Sequence, residues 1–600
     1  MIFKTLIFRL LLAFANTQFP VFGKNLDAQA SLPTLQLPWG IYRAQEFAAD
    51  PNIYIFENVR FGANPPRFSA PSFPTWTNSS VQPVSDGRDC IQASQNLAAL
   101  PGIGNPEETP IAKQSEDCLF LDIYVPRTVF QDSEVNLMPV VVWVYGGAFF
   151  TGSKQYLGPL YTGRSILRET NYKTIFVAGN YRLGAFGWLA GDYMQKEATP
   201  NAGLHDQALL FEWVQKYIGL VHGDSSRVSA WGESAGASSI LHHLIREDGC
   251  RDPKFKTVAL QSPAFQWAWD NSPNASATHR SLPNGTLDQV YRNFSQLAGC
   301  GHSFDIDCLR ASKHLFAANQ KLFATAKQTG VYPVGPSVDG KWVTTIPTLS
   351  LAHGTFWKGI DYAIVSHCLN ESASFVPKYI ISSDSFAAFL AAVLPGTELA
   401  PQRDKVTRQY DCEGRFKGDF RKCIATVIRD WGFTCNTRDL FNAYASVARM
   451  MRYGFPKPEL SYHASDLIAL FSTSKDEVEY LLKDVASKEQ AEEYAVWLVE
   501  TGIMKAYQSY FASFALSGGD PNTLPQPDEI WRPDWPIGDR SGDVLTNVLH
   551  VEANLVWPDF SLQDDDQNTE SICKFWTTLA NEIVSQPGDE IQGHGQLEEL

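Results

Sequence analysis

A serine framed by glycines, Gly232-Glu233-Ser234-Ala235-Gly236, is the pattern in this chain with the clearest capacity for chemistry. G-x-S-x-G presents a serine where a strand turns sharply into a helix, leaving its Oγ free to act as a nucleophile. A serine hydroxyl at its free pKa is a poor nucleophile, so it needs a base, usually a histidine oriented by a carboxylate. Acyl transfer also needs backbone N–H groups aimed at the oxygen that becomes charged. Ala235 is placed to supply one, and the small residues Gly146-Gly147-Ala148 let further backbone N–H groups approach a ligand oxygen. For an acid downstream, Glu371 follows the apolar run 362–365, at the carboxyl end of a predicted strand, whereas Asp361 stands at the wrong end. For a base, His463 opens the apolar segment SYHASDLIALF and His550 sits in VLHVEAN; pattern alone leaves both open.

The elements that must position these residues are legible as apolar periodicities. Residues 227–231 alternate as a short strand, and 237–245 have helical composition and spacing. The run PVVVWVY at 139–145 is continuously apolar and predicts a strand buried on both faces. Further strands are predicted at 119–125, 174–180 and 257–261, a hairpin-like start at 53–68, and a helix at 206–218. Strands alternating with helices predict an α/β fold with a doubly wound, mostly parallel central sheet. The stretches 270–355 and 375–460 carry few strand signals and read as long helical and loop insertions over that sheet.

Of 600 residues, 44% are apolar and 19% charged, a globular composition with ample core. The net charge of −16 and the lack of a basic cluster argue against a nucleic-acid partner. Lys4 and Arg9 precede the apolar LLLAFA, and small-x-small sites end at Ala15 and Ala30. Residues 1–30 therefore read as a secretory signal peptide, cleaved between 15/16 and 30/31. No run reaches the ~18 apolar residues of a transmembrane span. Ten cysteines and the sequons at Asn78, Asn274, Asn284, Asn293 and Asn370 agree with a secreted, extracellular glycoprotein. Glycans are expected at the first four. Asn370 is expected bare, because Glu371 beside it must be buried to orient a histidine. Residues 31–585 read as a single catalytic domain and 586–600 as a disordered tail.

Ordered blocks along the chain resemble the type-B carboxylesterase/lipase family. They are SEDCLFLDIYVP at 115–126, VWVYGGAFFTGS at 142–153, NYRLGAFGWLA at 180–190, HGDSSRVSAWGESAGA at 222–237, GPSVDG at 335–340, HASDL at 463–467 and FALSGGDPN at 514–522. The surroundings of Cys300 and Cys308, and FTCNTR at 433–438, are similar to the secreted fungal branch. The resemblance implies an α/β-hydrolase fold and ester hydrolysis, with Ser234 as nucleophile, Glu371 as acid, His463 as base and Gly147, Ala148 and Ala235 as oxyanion donors. It implies an Arg67–Glu116 ion pair and disulfides Cys90–Cys118 and Cys300–Cys308. Four of Cys250, Cys368, Cys412, Cys423, Cys435 and Cys573 could form two more. It implies no cofactor and no metal, and a small-molecule or lipid ester as substrate. Ala148, Ser372 and Ala464 stand where the family usually has glycine. The span from Cys90 to Cys118 holds no tryptophan, which argues against a choline ester. Two alternatives accompany this reading. One is a triacylglycerol lipase with an interfacial lid on the Cys90–Cys118 loop, around Leu97, Leu100 and Ile103. The other is a non-catalytic adhesion protein on the same fold, which should have lost a residue of the triad.

Overall fold

The continuous apolar runs form the middle of a twelve-stranded sheet in the computed structural model of the chain. The structure describes residues 32–584, except 85–86, 94–112, 132–135, 156–157, 159, 270–285, 327–330, 458–459, 484–485, 526, 528–529 and 554–557. The strands are β1 (Gln45–Glu46), β2 (Ile53–Arg60), β3 (Phe120–Pro126), β4 (Met138–Val144), β5 (Ile175–Gly179), β6 (Gly223–Glu233), β7 (Thr257–Gln261), β8 (Tyr362–Cys368), β9 (Ala448–Tyr453), β10 (Asp539–Ser541), β11 (Val544–Ala553) and β12 (Pro558–Asp565). Their order is β10-β11-β9-β8-β7-β6-β4-β5-β3-β2-β1, with β12 beside β11. From β11 to β5 every neighbour is parallel; β3, β2 and β1 continue the sheet antiparallel.

The parallel centre is covered on both faces, which is why β5 and β7 are wholly buried. Helices α1 (Ala202–Tyr217) and α2 (Ala235–Leu244) pack against it, and α2 is buried along its whole length. Register then fixes where loops emerge. Gly232 pairs with Val144 on one side and Leu260 on the other. Gln261 in turn pairs with Ser366. The segments leaving β4, β6 and β8 therefore rise side by side, at the strand ends where open α/β sheets bind ligands. Buried ion pairs anchor two neighbouring stretches: Lys154 Nζ lies 2.7 Å from Asp122 Oδ1, and Arg182 Nη2 2.8 Å from Asp206 Oδ1.

Two expectations are corrected. The hairpin-like start at 53–68 is one strand, β2, whose antiparallel partners are β1 upstream and β3 downstream. Beyond Arg60 the chain is irregular, because Pro65 and Pro66 remove ladder donors. The stretch 375–460 also contains a core strand, β9. Its ARMMRY sequence hides that role: Arg449 donates to the carbonyl of Trp535 at 3.0 Å, and Arg452 pairs with Glu552 at 2.9 Å. The signal peptide, Asn274, Asn284, the tail and most of the Cys90–Cys118 loop, with Leu97, Leu100 and Ile103, lie outside the described residues.

Four disulfides join Cys90–Cys118, Cys300–Cys308, Cys412–Cys423 and Cys435–Cys573, leaving Cys250 exposed and Cys368 buried. The last spans 138 residues and ties the C-terminal helix Glu570–Val584 to the helical insertion. In the chain-entropy model a loop of that length is worth about 5 kcal/mol. The double variant Cys435→Ala/Cys573→Ala should lose a large part of that stability, read as a lower urea midpoint with an m-value that rises as the unfolded chain is released from the cross-link. An unchanged midpoint would show that the bridge contributes nothing.

Candidate active site

Ser234 is the last residue before α2 and adopts φ 55° and ψ −124°. A side-chain-bearing residue in so sparsely populated a region costs of order 1–3 kcal/mol and persists only where its surroundings over-determine it. Here its N–H donates to Gln261 O at 2.9 Å, and its carbonyl accepts from Ser238 N–H at 2.9 Å. Gly236 completes the turn by close approach: a Cβ there would sit 2.0 Å from Val144 O. The result is a Ser234 side chain delivered to the floor of a cavity of about 880 Å³.

The segment after β4 supplies the facing wall. Gly147 has φ 111° and Ala148 φ 51°, so the backbone there curls rather than extends. Ala148 lines the cavity beside Ser234. Among the described residues, no protein acceptor takes up the N–H of Gly147, Ala148 or Ala235. Unengaged backbone donors are what an oxyanion would require. Ala148, and Ala464 with φ 70°, hold left-handed positions that glycine would occupy at lower steric cost.

Glu371 and His463 meet in the interior of the protein. His463 Nδ1 lies 2.6 Å from Glu371 Oε2, and Cys368 N–H donates to Glu371 Oε1 at 2.6 Å. Both side chains are buried. Burial opposes the charge on Glu371, but the imidazole of His463 and the donors from Ser262 and Cys368 outweigh it, so its pKa is lowered. The ring of His463 is walled by Phe375 and Phe433, with centroids at 5.2 and 4.8 Å. His550 is elsewhere, buried on β11 with Nδ1 3.1 Å from Arg452 Nη2 and 3.4 Å from Glu552 Oε1. Arg67 and Glu116 form a bidentate ion pair, closest approach 2.6 Å.

Two acids escaped the sequence reading. Glu233 Oε1 lies 3.1 Å from His463 Nε2, close enough for a charge pair but without hydrogen-bond alignment. Burial raises its pKa to about 8. Asp466, one helical turn beyond His463, accepts from Gln261 Nε2 at 2.6 Å, and burial lifts it to about 6. Burial would depress His463, but Glu233 and Glu371 together raise it to about 9. The available signal was a glutamate between a buried strand and the serine, and an aspartate at i+3 from the histidine. Among the described residues, no group of three or more His, Cys, Asp or Glu could hold a metal ion.

A mostly parallel sheet, a strained serine between strand and helix, and a histidine–carboxylate pair from later strand ends define an α/β hydrolase. The family model for the carboxylesterase family matches residues 34–570, and the chain belongs to that family. It is accordingly an ester hydrolase by family. A secreted lipase of Arthroderma benhamiae is 32% identical over 572 residues, covering 94% of this chain and 96% of the relative. Carboxylesterase patB of Aspergillus clavatus is 30% identical over 484 residues, 74% of this chain and 84% of the relative. The crystal structure of Aspergillus niger EstA shares the fold, with a TM-score of 0.72 at 21% identity, covering 92% of this chain and 99% of that one.

The acids around His463 have a measurable effect. Removing the Glu233 carboxylate takes away one of the charges that favour the imidazolium, so the pKa of His463 falls. Glu233→Gln should therefore shift the acid limb of the kcat/KM profile on p-nitrophenyl acetate to lower pH, by roughly one unit. A limb that stayed put or moved up would remove Glu233 from the electrostatics of the site.

Proposed function

We propose that the chain is a secreted serine hydrolase of apolar carboxylic esters, working through Ser234, His463 and Glu371. The observation that carries this reading is a strained Ser234 on the lining of the cavity together with a buried His463–Glu371 hydrogen bond whose imidazole packs against the lining residues Phe375 and Phe433. His463 Nε2 takes the Ser234 Oγ proton as Oγ attacks the ester carbonyl carbon. The negative oxygen is held by the N–H groups of Gly147, Ala148 and Ala235. The imidazolium, stabilised by Glu371, gives its proton to the leaving alcohol oxygen, and an acyl ester remains on Ser234. Water then adds by the same route: His463 accepts its proton, the acid departs, and Oγ is reprotonated. Secretion is supported by the likeness to a secreted lipase and by four disulfides, which persist in oxidising compartments. Among the described residues no helix is long and apolar enough to cross a membrane.

Substrate class is argued from the cavity. Phe149, Trp188, Trp267, Trp269, Trp431 and Phe433 are among its lining residues, around Ser234. Such a surface stabilises bulky apolar groups and gives little to a charged one.

Ser234→Ala should abolish fluorophosphonate labelling and leave only the residual ~10³–10⁴-fold acceleration over water that binding and the oxyanion donors supply. His463→Ala should cost as much, and the double variant little more, because the pair acts as one unit. His550→Ala should leave the kcat of the folded protein unchanged. Labelling that survived Ser234→Ala, or a base effect at His550 instead of His463, would overturn the assignment.

Across p-nitrophenyl esters of rising acyl length, kcat/KM should climb by up to about fourfold per methylene until the cavity is filled. A flat or falling series from acetate onward would refute the apolar-ester reading.

A further inference from the structure

The mouth of the cavity is located by where its lining turns from buried to exposed. Helix α3 (Thr286–Leu297) forms one wall. Along it Leu287, Val290 and Asn293 all line the cavity at three-residue spacing, one stripe of a helix. They run from buried through half-buried to exposed. A second stretch of the lining behaves alike: Val376 and Pro377 are half-buried, while Lys378 and Tyr379 are exposed. Asn293 and the Lys378–Tyr379 edge are therefore both placed where the cavity opens to solvent. Next to that edge Ile381 stands 75% exposed, an apolar rim.

Asn293 is also the acceptor of a sequon, Asn293-Phe294-Ser295, with no proline between. We propose that Asn293 carries an N-linked glycan that stands in the mouth of the cavity and screens it from large or interface-bound esters. The inference rests on the proposed secretory route, which supplies the donor, a lipid-pyrophosphate-linked oligosaccharide. In the transfer, the Asn293 amide nitrogen bonds to the anomeric carbon of the first sugar, and the carbon–oxygen bond to the pyrophosphate breaks. The lipid pyrophosphate leaves, and one amide proton passes to the base of the transferase. Ser295 is fully buried in the folded chain, so the transfer precedes the packing of α3. Asn293 itself stays exposed, so the folded protein has room for the product.

A glycan is bulky and hydrated. At this position it holds the apolar rim away from a lipid surface while small soluble esters pass beneath it. The glycan thereby sets the enzyme toward dissolved substrates, although the cavity within would hold a long acyl chain.

The test uses the full chain secreted from a glycosylating eukaryotic host. Glycopeptide mass spectrometry should find Asn293 occupied. Trimming the native glycans with an endoglycosidase should raise kcat/KM on emulsified long-chain triacylglycerol relative to p-nitrophenyl acetate by roughly tenfold, an access effect of the size on-rates show. Asn293→Gln should show the raised ratio before trimming and no further rise after it, which separates this glycan from those expected at Asn78, Asn274 and Asn284. Asn293→Asp serves if the Gln variant fails to fold. An unmodified Asn293, or a ratio indifferent to both trimming and substitution, overturns the proposal. Ser234 labelling by a small fluorophosphonate distinguishes the two readings. If labelling is absent, the hydrolase assignment fails; if it is intact with an unchanged ratio, only the glycan's role fails.

Discussion

The backbone at Ser234 is the constraint on which the rest of the site depends. Its φ of 55° and ψ of −124° are unfavourable for a residue with a side chain, and nothing local rewards them. They are enforced by the sheet. Gly236 lies against the end of β4, where even a methyl group would meet Val144 O at 2.0 Å. The Ser234 N–H is held by Gln261 at the end of β7. The turn is thus clamped between two parallel neighbours, each buried on both faces. The length and apolar character of the central strands are what allow a chain to hold one serine in a conformation it would otherwise leave.

Around that fixed point the chemistry is one of proton accounting. Glu233, Glu371 and Asp466 surround His463 in a region closed to bulk water. Three charged carboxylates cannot share such a volume with one imidazole. Burial keeps Glu233 and Asp466 protonated more readily than free carboxylates, while Glu371 keeps its charge because His463, Ser262 and Cys368 all serve it. One negative charge is therefore localised on the Nδ1 side of the ring. On the Nε2 side stands Glu233, whose charge together with that of Glu371 favours the imidazolium. The hydrogen bond to Glu371 fixes the orientation of the ring from the Nδ1 side.

Much of this was legible because the parallel core writes itself as unbroken apolar runs. PVVVWVY needed no alternation to be found, and the elbow strand was found by its alternation over 227–231. Glu371 was legible from its place after such a run. The strand β9 was not, since Arg449 and Arg452 interrupt its pattern and find partners only through tertiary contacts with Trp535 and Glu552. The two prolines after Arg60 forbade half of the expected hairpin. His463 and His550 could not be separated by pattern, because both stand beside apolar stretches; the distinction lies in which carboxylate each meets, a fact of folding across 92 residues of chain for the His463–Glu371 pair. Glu233 was invisible as a functional group because its neighbour, the serine, explained the motif without it.

The wall that carries Trp431, Gly432 and Phe433 is a π-helical turn, Asp430–Thr434, set between the α-helical segments Phe420–Arg429 and Cys435–Ala443. Such a turn accommodates one more residue than an α-helix over the same rise, and each residue of an α-helix turns the sequence by about 100° about its axis. Loss or gain of a single codon here would rotate a different side chain into the cavity while the sheet, the elbow and the two helix ends stayed where they are. Descendants of this gene can therefore change what they accept by a length change in one helix, leaving the machinery of bond breaking untouched.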